Sequence, residues 1–202
     1  MIVTWYGGRC MLVEERVRGQ TPRSTLFFPE TKTSRARTLE EKADVIVGVE
    51  NLKAPQEGRA YRIAMPGEYD VAGFFVRGMA FGSRSGSNTS AYVTEAGDTV
   101  FCLFGEVAAD TLSEQDVEAL GLVDILALPV PSHPEKTSQI SGLGDVVRAI
   151  EPKVVLPLTE DAKLRAAVRK ELGVEGETTG KLMALRRDFP EEGFRVVFLD
   201  AQ

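Results

Sequence analysis

Few side chains in this 202-residue chain are suited to chemistry. It has one histidine, His133, and two cysteines, Cys10 and Cys102. A cysteine nucleophile needs a base in hydrogen-bond reach, and His133 is the one imidazole that could supply it. Both cysteines lie in apolar surroundings, RCMLV and VFCLF, which marks them as buried reduced thiols that pack as small hydrophobes. Two cysteines are too few for a disulfide framework. His133 sits between prolines in Pro131-Ser132-His133-Pro134, the pattern of a surface loop.

Chemistry on a mixed α/β scaffold usually gathers where strands end, because a rigid sheet holds the following loop still. The stretch Ala43 to Pro55, ADVIVGVENLKAP, is such a junction. Val45, Ile46 and Val47 form a β-branched run, Gly48 follows, and the chain leaves the strand between Glu50 and Pro55. After Glu50 that exit holds no carboxylate, and it holds no histidine or cysteine at all. The Gly/Ser-rich run Gly82 to Asn88 (GSRSGSN) could cradle a phosphate, but a strand pattern at Ser90 to Thr94 follows it where a helix would be needed. It therefore reads as a hairpin connection.

The elements that must position these residues are legible from period and punctuation. Residues 2–6 and 10–14 read as strands around Gly7-Gly8-Arg9. Leu26 to Phe28 reads as a third strand, stopped by Pro29. Glu30 to Lys42 reads as a loop leading into a short helical turn near Leu39 to Ala43, ahead of the strand at Val45 to Val47. Strand patterns recur from Ala60 to Ala80, at Ser90 to Thr94 and at Thr99 to Phe104. After Gly105 the period changes. Ser113 caps a helix to Leu120 that Gly121 stops. Val123 to Val130 is a strand, Ile140 to Ile150 a helix, and Val154 to Leu156 a strand followed by Pro157. Thr159 is read as the cap of a helix over Glu160 to Leu172, with Gly173 as its stop. Phe194 to Leu199 is the last strand. This order implies an α/β (α+β) fold of sheets packed face to face with helices outside, as a single domain over residues 1–202.

Composition narrows the function classes. Hydrophobic residues make up 43% and charged residues 27%, as in ordinary globular proteins. A formal net charge of −6 argues against a nucleic-acid partner, which needs a basic footprint. No apolar run is long enough for a membrane helix. The start, MIVTWYGG, lacks a basic segment followed by a long apolar core, so a cytoplasmic location is the expectation.

From about Met1 to Glu160 the chain resembles the metallo-β-lactamase superfamily, in its small bacterial and archaeal Zn-dependent hydrolase branch. Eight blocks carry the resemblance by their order and spacing. They are TWYGGRCMLVE from Thr4, TLFFP from Thr25, ADVIVGV from Ala43, PGEYDVAG from Pro66, SNTSAYVTE from Ser87, FCLFGEV from Phe101, LSEQDVEALGLVDILALPV from Leu112 and IEPKVVLPLTE from Ile150. The resemblance implies a four-layer αββα sandwich. It also implies a metal held by His and Asp at strand ends, where bound water reaches a pKa near ~7 and attacks. The residues at those positions depart from the family. The His-x-His-x-Asp-His motif reads Glu50, Leu52, Ala54 and Pro55. The aspartate ending the TLFFP strand is Phe28, the bridging aspartate after Gly105 is Glu106, and the late histidine is Thr159. Gly8 stands for an early histidine, and none lies between Gly78 and Asn88.

The expectation is a metal-free member of the fold, with no cofactor, that has lost hydrolysis and binds an unknown small molecule or protein. Its degenerate pocket would comprise Glu50, Glu106, Thr159 and His133. The alternative is a metal-dependent hydrolase-like enzyme with a site rearranged around Glu50, Glu106 and His133. There two carboxylates and waters would hold Mg2+ or Ca2+. A homo-oligomer is a third expectation, with Phe74 and Phe75 as interface candidates.

Overall fold

The computed structural model of the chain describes residues 1–17, 19–29, 34–48, 60–82, 88–105, 112–130 and 137–202. Glu50, Glu106 and His133 lie outside them, as do Leu52, Ala54 and Pro55. Two sheets stack face to face. The first has the order β13-β1-β2-β3-β4-β5: β1 (Ile2–Trp5), β2 (Met11–Glu15), β3 (Arg23–Phe27), β4 (Val45–Val47), β5 (Tyr61–Ile63) and β13 (Leu182–Met183). The second has the order β12-β14-β11-β10-β9-β8-β7-β6. It comprises β6 (Gly67–Val71), β7 (Phe74–Gly82), β8 (Asn88–Ala96), β9 (Thr99–Phe104), β10 (Ile125–Pro129), β11 (Val154–Leu158), β12 (Glu177–Thr179) and β14 (Arg195–Leu199).

Alternation along the strands builds the layers. Val3, Trp5, Met11, Val13, Phe27, Val45 and Val47 point inward from the first sheet. They meet Phe74, Val76, Phe101, Leu103, Ile125, Leu156 and Val197 from the second in one buried cluster. Phe27 and Phe101 touch across it with ring centroids 5.4 Å apart. The opposite faces take helices. α1 (Ser34–Lys42) covers Leu26 and Ile46 of the first sheet through Leu39 and the following Ala43. The second sheet buries Cys102, Leu126, Leu128, Val155 and Phe198 under α2 (Glu114–Leu120), α3 (Thr137–Ile150) and α4 (Ala162–Leu172). The result is the expected αββα sandwich, in which, among the described residues, one short α-helix lies on one side and three α-helices on the other.

Several local expectations are refined. α1 begins at Ser34, well ahead of the turn read near Leu39. β11 runs through Pro157 instead of ending before it. A proline is tolerated there because β14 pairs with β11 only at Val154 and Val155, leaving no ladder bond for the missing N–H to make beside β14. Strands β12 and β13 carry too few apolar residues to stand out in sequence; pairing to β14 and β1 creates them. The first half also holds parallel pairs, β3 with β4 and β4 with β5. The Gly/Ser run joins β7 to β8, which pair antiparallel out to Gly82 and Asn88, as a hairpin requires. Phe74 is fully buried core and not an interface residue. Both cysteines are buried and unpaired with each other, and burial pushes the Cys102 thiol far above its ordinary value.

The end of the sandwich where β2 gives way to β3 is closed by charge. Arg23 forms an ion pair with the buried carboxylate of Glu15 and lies over the Phe74 ring of the second sheet, 5.6 Å from its centroid. Glu15 also lies against Gly97 in the β8–β9 turn. The side between β5 and β6 is closed by Tyr61 and Tyr69, one from each sheet, with ring centroids 6.5 Å apart.

Candidate functional site

Parallel strands leave their C-terminal ends on one edge. β3 and β4 do so in the first sheet, and β9, β10 and β11 in the second. The described residues immediately beyond them are Phe28, Gly48, Gly105, Val130 and Thr159. The turn Gly7-Gly8-Arg9 reaches this pole from between β1 and β2. Gly7 (φ 92°) and Gly8 (φ 53°) adopt backbone angles open to glycine, and the turn is closed by the Cys10 amide donating to the Gly7 carbonyl at 2.9 Å. The Trp5 indole N–H donates to the Gly8 carbonyl at 3.0 Å. Gly8 is thus a turn residue with its carbonyl engaged.

That turn delivers Arg9 onto Phe28. The guanidinium carbon lies 4.6 Å from the Phe28 ring centroid, and one of its nitrogens donates to the Gly105 carbonyl at 3.4 Å. The side chain thereby bridges the ends of β3 and β9. Phe28 is held from three sides. Its amide donates to the Val47 carbonyl at 2.8 Å, continuing the β3–β4 ladder. Its φ of 44° is left-handed, a strained value for a bulky residue, and turns the ring over Gly48. A Cβ on Gly48 would lie 2.5 Å from that ring, and Gly48 itself has φ 82°. The ring's third neighbour is Tyr92 of β8, edge-on at 5.5 Å between centroids and 72° between planes. Tyr92 lies against Gly78, where a Cβ would come within 2.8 Å of its ring. Burial, and then the nearby Tyr69, raise the Tyr92 phenol above its ordinary value.

Thr159 is 7% exposed at the end of β11. It does not cap α4. The cap is Asp161, whose carboxylate accepts from the amides of Lys163 and Leu164 at 2.7 and 3.1 Å. The Thr159 hydroxyl accepts from the Asp161 amide at 3.2 Å, and its carbonyl accepts from Arg165 Nε at 3.0 Å. Arg165 also donates to the Leu199 carbonyl at 2.9 Å and pairs with Asp200 at 3.1 Å. Arg165 therefore ties the ends of β11 and β14 together, with Thr159 as one of its anchors. A carboxylate accepts two amides better than a hydroxyl, which is why the cap falls at Asp161.

Of the four expected pocket residues, the structure describes Thr159 alone and engages it in holding strand ends. Arg9, Tyr92 and Gly48 were not among the expected residues. The signals for them are slight: a basic residue following a Gly-Gly turn, and a glycine directly after a buried β-branched strand. The described residues by themselves do not make a metal site of the family's kind, and Glu50, Leu52, Ala54, Pro55 and Glu106 lie outside them. Among the described residues no three His, Cys, Asp or Glu side chains converge. Phe28 offers no donor atom, the Thr159 hydroxyl is engaged, and the Arg9 cation stands where a second positive charge would be repelled.

A comparison with curated proteins finds no match. Among solved structures, a metallo-β-lactamase superfamily protein from Thermotoga maritima, whose proposed activity is Zn-dependent hydrolysis, superposes with TM-score 0.68 at 22% identity, covering 99% of this chain and 100% of that one. A protein from Parabacteroides distasonis with a proposed metal-dependent hydrolase activity gives TM-score 0.62 at 13% identity, covering 99% and 93%. The metallo-β-lactamase fold protein YhfI of Bacillus subtilis gives 0.57 at 10%, covering 99% and 97%. At these identities the likeness establishes the fold alone. The sequence profile described as "Beta-lactamase superfamily domain" matches residues 2–159, from β1 to the end of β11. The chain therefore belongs to the β-lactamase superfamily domain family.

Proposed function

We propose that this protein is a member of its family that binds without hydrolysing, folded as one unit over residues 1–202 and working without a metal. The observation that carries this reading is the filling of the strand-end pole. An aromatic ring, Phe28, occupies the exit of β3 and carries a guanidinium on its face, where the family resemblance calls for an aspartate ligand. A carboxylate-to-phenyl change removes a ligand, and an adjacent cation raises the free energy of a dication nearby. Thr159, in place of the late histidine, supports the same reading, because its hydroxyl and carbonyl serve the β11–β14 clamp.

The test is metal content and turnover together. Protein purified without chelator is expected to carry far less than one equivalent of zinc, iron or manganese by mass spectrometry. It is also expected to leave phosphodiester, lactone and β-lactam substrates intact. Stoichiometric metal, or turnover that survives EDTA and is lost in Glu106→Gln, would overturn the reading.

A further inference from the structure

The two flanks of the sandwich differ in character. On one side β5 and β6 are the outermost strands of their sheets, joined through residues 64–66. This flank exposes Tyr61 (49%) and Met65 (65%), and β6 turns Glu68 and Asp70 to solvent. Neither carboxylate has an ion pair among the described residues. Glu68 stands opposite Arg77, but the Arg77 guanidinium donates to the carbonyls of Ala119 and Leu120 at the end of α2. On the other side β12 and β13 are outermost, joined through Gly180 and Lys181. This flank exposes Met183 (67%) and Leu185 (43%), with Lys181 and Arg187 beside them. Among the described residues Arg187 has only a sequence-adjacent ion pair, to Asp188 at 3.8 Å. The described large hydrophobics left exposed are Val17, Tyr61, Met65, Leu122, Met183 and Leu185. Four of those six lie on the two flanks, so exposed apolar surface concentrates at sheet edges. Monomeric proteins usually protect such edges.

We propose that the chain self-associates head to tail, with the acidic, aromatic flank at Tyr61 to Asp70 of one copy docked on the basic, apolar flank at Lys181 to Arg187 of the next. A single molecule cannot satisfy its own complementarity, because six strands at ~4.8 Å spacing hold the flanks roughly 24 Å apart. A two-fold dimer through either flank sets like charges against each other: Glu68 and Asp70 in one case, Lys181 and Arg187 in the other. The contact is therefore heterologous, and because the two flanks lie on opposite sides of the molecule it extends into short chains of molecules. Edges of five and two residues with two charge pairs form a small interface of the weak, reversible class. Exposed charge pairs are screened, so association falls as salt rises.

Sedimentation velocity of the full chain decides it. At low salt the mean mass is expected to rise continuously from low to high micromolar concentration. It should return to monomer in about 1 M salt, where the screening length is ~3 Å. Glu68→Lys with Asp70→Lys blocks one flank, and Lys181→Glu with Arg187→Glu blocks the other. Each double variant alone is expected to stay monomeric, while an equimolar mixture associates into chains again, because the reversed flanks complement each other as the unaltered ones do. Met183→Ser, which leaves the charges intact, should also weaken association at least tenfold. A wild-type chain that stays monomeric at every concentration would overturn the proposal. So would association retained by both double variants, or a mixture that fails to associate.

Discussion

Arg9 and Phe28 form a cation–π pair, 4.6 Å from guanidinium carbon to ring centroid, that ties the first hairpin to the end of β3. Arg9 belongs to a turn fixed by two glycines and Phe28 to a left-handed residue before a proline, so both backbones are set independently of the contact. Arg9→Ala is expected to destabilise by about 1 kcal/mol. Phe28→Ala should cost roughly 2–3 kcal/mol, for the half-buried ring and the space it leaves over Gly48. Urea unfolding of both variants and the double variant measures the pair. An additive double variant would show that the two residues do not interact.

Gly48→Ala is the sharper test of how Phe28 is seated. The added methyl meets the Phe28 ring at 2.5 Å and forces φ 82° on a residue with a Cβ. The expected loss is about 2–4 kcal/mol, partly relieved when Phe28 is also shortened to Ala. No relief in the double variant would mean that the ring is not the obstacle.

The clamp at the other end of the pole depends on Arg165. Arg165→Met keeps much of the side chain's apolar bulk but frees the carbonyls of Thr159 and Leu199. A loss of roughly 1–3 kcal/mol is expected, against about 1 kcal/mol for Asp161→Ala at the cap of α4. Hydrogen exchange should show faster opening of β14 in Arg165→Met and of the first turn of α4 in Asp161→Ala. The reverse pattern would contradict these roles.

Stability should fall at alkaline pH. The phenol of Tyr92 and the thiol of Cys102 both have folded values raised above their ordinary 10.0 and 9.0, chiefly by burial. The folded state holds these protons more tightly, so their contribution is complete below about pH 9 and is lost progressively as pH rises above 9 for the thiol and above 10 for the phenol, toward their higher folded values. Cys102→Ala should flatten the early part of that decline in denaturant titrations. In the native state Cys102 should not react with a thiol reagent at pH 8, and rapid labelling would contradict its burial.

The sandwich was legible in sequence because its signals are local. Val45-Ile46-Val47, Thr99 to Phe104 and Val123 to Val130 are runs whose period shows which faces are buried, and Ser113, Gly121 and Gly173 cap and stop their helices through their own side chains or backbone freedom. The identities of Phe28 and Thr159 just beyond their strands were also visible in the sequence. Only the tertiary structure decided what those residues do. Phe28 meets Tyr92, 64 positions later, and Thr159 shares Arg165 with Leu199, and no local pattern encodes a partner brought in by sheet pairing. The short strands β12 and β13 were hidden for the same reason, since their backbone bonds come from β14 and β1. Residue types along the chain fix each strand's buried face, but which strand ends meet at one pole follows from how the two sheets stack.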